Sequence, residues 1–236
     1  MICVNQCLKY VAKICCLKFE MDVKILERGE NEVQFMLSGV KLRFANALRR
    51  AMIAEVPKLA IDEVKIHENA SLLYDEQLAL RLALIPLKTD LGDYGADDRI
   101  SLTLKAISPG RGGYTTVYSK ELISSDPKVE AAFENIPIVK LISAEREVGG
   151  MKSIARQKIA LEAIAKLGRG KEHAKWQPVT ACSYKDMPDE EHKDALLFTV
   201  ESDGALPVDT IIEEAARIMR EKCESALNGL NERSKS

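Results

Sequence analysis

FANALRRAMIAEVPKLAIDEVKIHENASLLYDEQLALRLALIPLKTD, residues 44–90, contains the change of pattern that decides the fold. Phe44, Leu48, Met52 and Val56 recur at every fourth position. That spacing lines one side of a helix, so a helix is predicted over 40–56, ending at Pro57. Past the proline, Ile61, Val64 and Ile66 mark a strand over 59–69. A short apolar helix over 75–84 follows, before Pro86. Lys41, Arg43, Arg49 and Arg50 put four positive charges on the rest of the first helix. A solvated face accounts for them, and on their own they are only a weak argument for an acidic partner or a phosphate backbone.

Upstream, MDVKILERGENEVQFMLSGV reads as a hairpin. Val23 and Ile25 alternate before Gly29, and Val33, Phe35 and Leu37 alternate after it. Strand periodicity therefore begins at Met21, and residues 1–20 are expected to be an extension or the product of a misassigned start. Downstream, strands are predicted over 98–107, from Tyr114 through TTVYSKEL, at IVKLI after Pro137, and at ALLFTVES. Helix propensity and strand alternation compete after 151. Ile159, Leu161, Ala163, Ala165 and Leu167 fall on every second position, so 158–167 is read as a strand, and 151–157 is left open. The stretch from Leu167 to the ALLFTVES strand is read as a loop. A long helix then runs from Pro207 to Leu230, with proline in its first turn. Its apolar stripe is wide: Val208, Ile211, Ile212, Ala215, Ala216, Ile218, Met219, Cys223, Ala226, Leu227 and Leu230. Either the chain's own sheet or a second chain could cover such a stripe, and width alone does not separate the two. Strands and helices without a βαβ rhythm indicate an α+β fold.

Composition restricts the function classes. The chain has 236 residues, 46% hydrophobic and 30% charged, with a formal charge of −2. This suits a folded protein of one or two domains, and it supplies no overall field drawing the chain to nucleic acid. No apolar run reaches the roughly 18 residues of a helical membrane span, so a soluble, cytoplasmic protein is expected. Of six cysteines, Cys3, Cys7, Cys15 and Cys16 crowd the first sixteen positions, while Cys182 and Cys223 stand alone. That is neither a disulfide framework nor the paired short spacing of a zinc site.

Catalytic motifs do not emerge. His67, His173 and His192 have no metal-ligand spacing. The stretch LGRGKEH around Gly168 and Gly170 superficially resembles a phosphate cradle, but Glu172 stands where a P-loop needs Ser or Thr. Asp97 with Asp98, and Glu190 with Glu191, are adjacent carboxylates that diverge on regular structure. No catalytic residue, metal ligand or cofactor site is expected.

Residues 44–90 closely resemble the signature of the D-subunit family of archaeal-type RNA polymerases, which is similar to the eukaryotic third-largest subunit and the bacterial alpha amino-terminal domain. TVYSKELISSDPKV with IPIVKL, LGRGKEHAKWQPVTACSYK over 167–185, and the terminal helix opened by Leu206 and Pro207 agree in the same order. The resemblance implies a discontinuous dimerisation domain, 21–58 with 195–236, and an inserted, mostly β domain over 59–194. It implies a non-catalytic role. The chain would pair with small subunit L, contact the second-largest subunit and small subunits N and P, and meet DNA only through the complex. Phe44, Leu48, Arg49, Arg50, Ile211, Ile212, Ala215, Met219, Cys223 and Ala226 are the partner-interface residues it implies. Two departures stand out. The cysteine cluster that holds zinc or iron–sulfur in some relatives is absent from 21–236. Leu80 and Ala83 also replace the His and Gly that relatives often carry. A nucleic-acid-binding module using Arg49, Arg50 and Lys166 to Lys175 is the alternative reading. A small-molecule enzyme built on the Gly168 loop is a third.

Overall fold

A computed structural model describes residues 21–95, 97–148, 151–187 and 194–233. The expected extension, 1–20, with its four cysteines, lies outside the described residues. The chain divides into two units, Met1–Lys58 with Arg169–Ser236 and Leu59–Gly168. The division differs from the expected one, in which the insertion ran to 194, and the cause is a strand missed in the sequence.

Among the described residues, unit 1 is a four-stranded antiparallel sheet with two helices. Strands β1 (Asp22–Arg28) and β2 (Glu32–Ser38) form the predicted hairpin. Helix α1 is Leu42–Ala54, and strands β10 (Val179–Asp186) and β11 (Leu196–Ser202) precede the last helix, α3 (Val208–Arg233). The strand order is β1-β2-β11-β10. VTACSYKD carries no clean apolar face, so its sequence pattern points to loop, and in the structure it is mostly exposed. What makes it a strand is its pairing with β11, from Asp186 opposite Leu196 back to Val179 opposite Ser202. This pairing draws 169–187 into unit 1. Val33, Phe35 and Leu37 from β2, Phe44, Leu48 and Met52 from α1, and Phe198 and Val200 from β11 are buried, as are Ile211, Ile212 and Ala215 from α3. The period of four read in α1 therefore marks a core face.

Unit 2 holds β3 (Pro57–Asn69), α2 (Asp75–Ala83), β4 (Arg99–Ile107), β5 (Gly113–Tyr118), β6 (Ile123–Ser124), β7 (Pro137–Val148), β8 (Met151–Arg156) and β9 (Lys158–Arg169). Its two sheets have the orders β3-β9-β4-β6 and β5-β7-β8. Ile159, Leu161, Ala163 and Ala165 of β9 are buried on alternate positions against Ile100, Leu102 and Leu104 of β4. Alternation thus overrides helix propensity, because two-sided packing in a sheet outweighs the few tenths of a kcal/mol that propensity offers per residue, about 0.7 at most. The open stretch 151–157 becomes β8, paired with β7. The TTVYSKEL strand stops at Tyr118, and Ser119–Glu121 forms a 3-10 turn. Glu121 accepts the Tyr118 N–H at 3.0 Å, taking a donor the strand would have used.

One buried ion pair stands where the chain leaves unit 1. Lys58 is paired with Asp203, their side chains 5% and 14% exposed, and it also donates to the Gln177 carbonyl at 3.0 Å. Asp203 in turn accepts the Ala205 N–H at 3.0 Å. The adjoining turn bends at Gly204, with φ of 89°, a conformation in which a side chain is strained. This turn delivers the chain to α3. Removing one member of such a pair strands the other charge. Lys58→Ala should cost about 3–5 kcal/mol in urea unfolding. Adding Asp203→Asn should restore more than about 1 kcal/mol, because Asn can still accept from Ala205 without carrying a charge. A double variant as unstable as the summed single losses would contradict this.

Candidate partner interface

The sequence-predicted interface residues separate into two groups. Phe44, Leu48, Ile211, Ile212 and Ala215 are buried inside unit 1. Their apolar area is already covered by their own chain, so within this chain they serve as core. Met219 and Cys223 are half-buried and Ala226 is exposed. α3 thus has two regimes. Through Ile218 its stripe packs inward, but from Glu224 to Asn231 every residue is exposed, with Leu227 at 45% and Leu230 at 66%. Over this last stretch the stripe has no cover among the described residues. Leu227 and Leu230 carry the uncovered apolar area. The sequence showed them as part of the stripe but gave no sign of where the cover ends.

The basic residues divide similarly. Arg50 is exposed, whereas half-buried Arg49 donates to Asn46 Oδ1 at 3.1 Å and lies near Cys182. Burial pushes the Cys182 thiol up to about 11, with the nearby Arg49 charge opposing, so it stays protonated at neutral pH. A protonated thiol is a poor metal ligand. Among the described residues, no three His, Cys, Asp or Glu side chains are grouped to hold a metal.

The glycine-rich stretch is not a cradle. A Cβ on Gly170 would sit 2.3 Å from the Ile53 carbonyl oxygen, so the loop backbone lies directly on the C-terminal turn of α1. The Lys171 N–H donates to the Ala54 carbonyl at 3.0 Å, and the Glu172 N–H to the Arg169 carbonyl at 2.9 Å. These donors are taken. Nor is the basic run uncompensated. Lys166 pairs with Asp62 at 2.7 Å, Arg169 and Lys171 each lie 3.8 Å from Glu55, and Lys175 sits over the Trp176 ring.

Glu55, which sequence reading missed, is the C-cap of α1 and receives Lys222 of α3 at 2.7 Å. The Lys222 hydrogen bond is the main cause holding its carboxyl below the ordinary carboxylate value, with burial opposing and the Lys222, Lys171 and Arg169 charges assisting. A depressed folded value means that the contribution is complete above the unfolded pKa. It is lost as pH falls through the folded value.

Unit 2 carries its own exposed apolar residues. Leu80 and Leu84, four positions apart at the end of α2, are both more than half exposed. Leu80 therefore adds apolar surface and does not fill the core.

Comparison with known proteins by sequence points to one family. The sequence profile of the RNA polymerase Rpb3/Rpb11 dimerisation domain matches residues 34–223. The DNA-directed RNA polymerase subunit Rpo3 of Methanosarcina acetivorans is 47% identical over 181 residues, covering 71% of this chain and 62% of that protein. This chain therefore spans less than two thirds of that relative's length. Rpo3 of Pyrococcus horikoshii is 35% identical over an alignment covering 89% of this chain and 98% of its own, and that of Natronomonas pharaonis is 35% identical over 84% and 92%.

The two regimes of α3 respond differently to charge. Ile212 is 3% exposed, so Ile212→Asp should lower unfolding stability by more than about 3 kcal/mol, the cost of an unpaired buried charge. Leu230→Asp should change it by less than about 0.5 kcal/mol, as an exposed substitution does. Circular dichroism melts of the two variants compare them directly, and equal destabilisation would contradict the division.

Proposed function

The chain belongs to the RNA polymerase Rpb3/Rpb11 dimerisation-domain family, and on that premise we propose that it is a non-catalytic assembly subunit of a DNA-directed RNA polymerase. It pairs with small subunit L, and the pair forms the platform on which the large catalytic subunits assemble. Nucleotidyl transfer is the work of those subunits. This chain contributes folded surface, and DNA reaches it only through the complex, in the cytoplasm.

One observation carries the reading. An apolar stripe that begins in the core of unit 1 continues along α3 beyond its own cover, from Glu224 to Asn231. Exposed area of this kind is what a second chain buries on pairing. Met219, Cys223, Ala226, Leu227 and Leu230 form this candidate docking edge. Exposed Arg50 is available to a carboxylate of a large subunit, which its fork can hold with two hydrogen bonds. Leu80 and Leu84 offer a second apolar face, suited to the second-largest subunit or to subunits N and P. The alternative nucleic-acid module has less support, because Lys166, Arg169 and Lys171 already have carboxylates of their own chain beside them.

We also propose that residues 21–236 work without a metal, since Cys182 and Cys223 are their only cysteines. The test is affinity purification of the tagged chain from its native cell, with the co-purifying chains identified and the metal content measured. A small partner subunit and the two large polymerase subunits should co-purify in equal amounts. Zinc and iron should stay well below one per chain, and the melting temperature should be unchanged in chelator. A chain recovered alone while polymerase is intact would overturn the assembly role. Steeply salt-dependent DNA binding by that lone chain would favour the alternative. About one metal per chain would overturn metal independence.

A further inference from the structure

We infer that Glu55 is a positioning residue for α3, fixing the direction in which the uncovered segment 224–231 leaves unit 1. The inference rests on the reading that this segment docks a partner. A carboxylate at the C-terminus of a helix is normally unfavourable, because the last carbonyls already carry partial negative charge. Here that position is surrounded by cations from two other parts of unit 1. Gly170 lets the loop lie against the last turn of α1, which brings Arg169 and Lys171 to 3.8 Å from Glu55 Oε2. The opposite oxygen, Oε1, holds Lys222 at 2.7 Å.

The division of labour is visible in the geometry. Oε2 is buried and makes no hydrogen bond, so Arg169 and Lys171 act on it only by charge. They hold the carboxylate, which in turn holds Lys222. An isolated ion pair on a helix surface would set little, about 0–1 kcal/mol and one flexible contact. This carboxylate is 19% exposed and has two further cations beside its other oxygen, so three charges rather than one favour its place. The location matters as much as the contact. Lys222 adjoins Cys223, the last residue of α3 through Asn231 that is not exposed. The tether therefore sits where the helix parts from its unit, one to two turns before Leu227 and Leu230. A small change of angle there moves both residues. Farther along, from Glu224 to Asn231, every residue is exposed, so little of the helix there is buried to correct such a change.

Glu55→Gln, Lys222→Gln, their double variant and Lys222→Arg in the full chain test this by amide hydrogen exchange and by affinity for the co-purified small subunit. Each Gln variant should speed exchange across 219–226 by about two- to fivefold, leave 208–216 unchanged, and weaken the partner by a similar factor. The double variant should be no worse than either single one, and Lys222→Arg should behave as wild type. Unchanged exchange over 219–226 in Glu55→Gln would overturn the inference. So would a double variant equal to the product of the singles, which would mean that Lys222 acts without Glu55. A rise that includes 208–216 would also overturn it, because it marks a general loosening. If exchange behaves as expected but the wild-type chain binds no small subunit, the docking reading falls while the positioning of α3 stands.

Discussion

The pairing of β2 with β11 is the constraint on which the rest of unit 1 depends. Leu37 lies opposite Leu196 and Glu32 opposite Glu201, so the ladder joins residues from the two ends of the chain. At its centre Phe35 is opposite Phe198, with ring centroids 5.0 Å apart and planes nearly parallel. The same row continues outward, Ile25 opposite Phe35 on one side and Tyr184 opposite Phe198 on the other. A single cross-strand row thus ties all four strands together. Bringing together residues about 160 positions apart would cost a flexible chain roughly 4–5 kcal/mol in loop closure. Unit 2 reduces that cost by folding. Ala70 donates to the Lys158 carbonyl at 2.9 Å, putting the end of β3 beside the start of β9, and the two strands are neighbours in one sheet. The start of β3 and the end of β9, where the chain leaves and re-enters unit 1, therefore lie side by side.

Once the sheet is closed, α3 has a fixed origin. The turn at Gly204, with Asp203 held by Lys58, sets where it begins. Ile211, Ile212 and Ala215 then bury its first half in the core. The second half meets unit 1 chiefly through half-buried Met219 and Cys223 and through Lys222 on Glu55. The helix thereby changes from core element to projecting surface without changing its sequence pattern. The proposed assembly role would use such a helix, with one end committed to its own fold and the other left for a second chain.

Much of the fold was legible in the sequence because the relevant signals were local. The Val33, Phe35, Leu37 alternation, the period of four from Phe44 and the alternation from Ile159 each reflect one face of one element turned to a core. β10 was not legible, because neither of its faces is a clean apolar row and its partner strand supplies its reason to be extended. Missing it put the unit boundary at 194 instead of 168. The candidate interface was half legible for a related reason. Apolar spacing along α3 is continuous, whereas cover is not, and cover depends on α1 and β11, which no local pattern in α3 encodes. Glu55 left no signal at all, since its three cations come from Arg169, Lys171 and Lys222, far away in the chain.

If the β2–β11 row holds unit 1 together, Phe35 and Phe198 must act as a pair. The direct test is a double-mutant cycle in urea with Phe35→Ala, Phe198→Ala and both, followed by the fluorescence of Trp176, the only tryptophan, which is buried in unit 1. Each single change should cost about 3–5 kcal/mol, and the double loss should fall short of their sum by about 0.5–1.5 kcal/mol, the size of an aromatic pair's coupling. Losses that simply add, or a Trp176 transition that either change leaves where it was, would contradict the account.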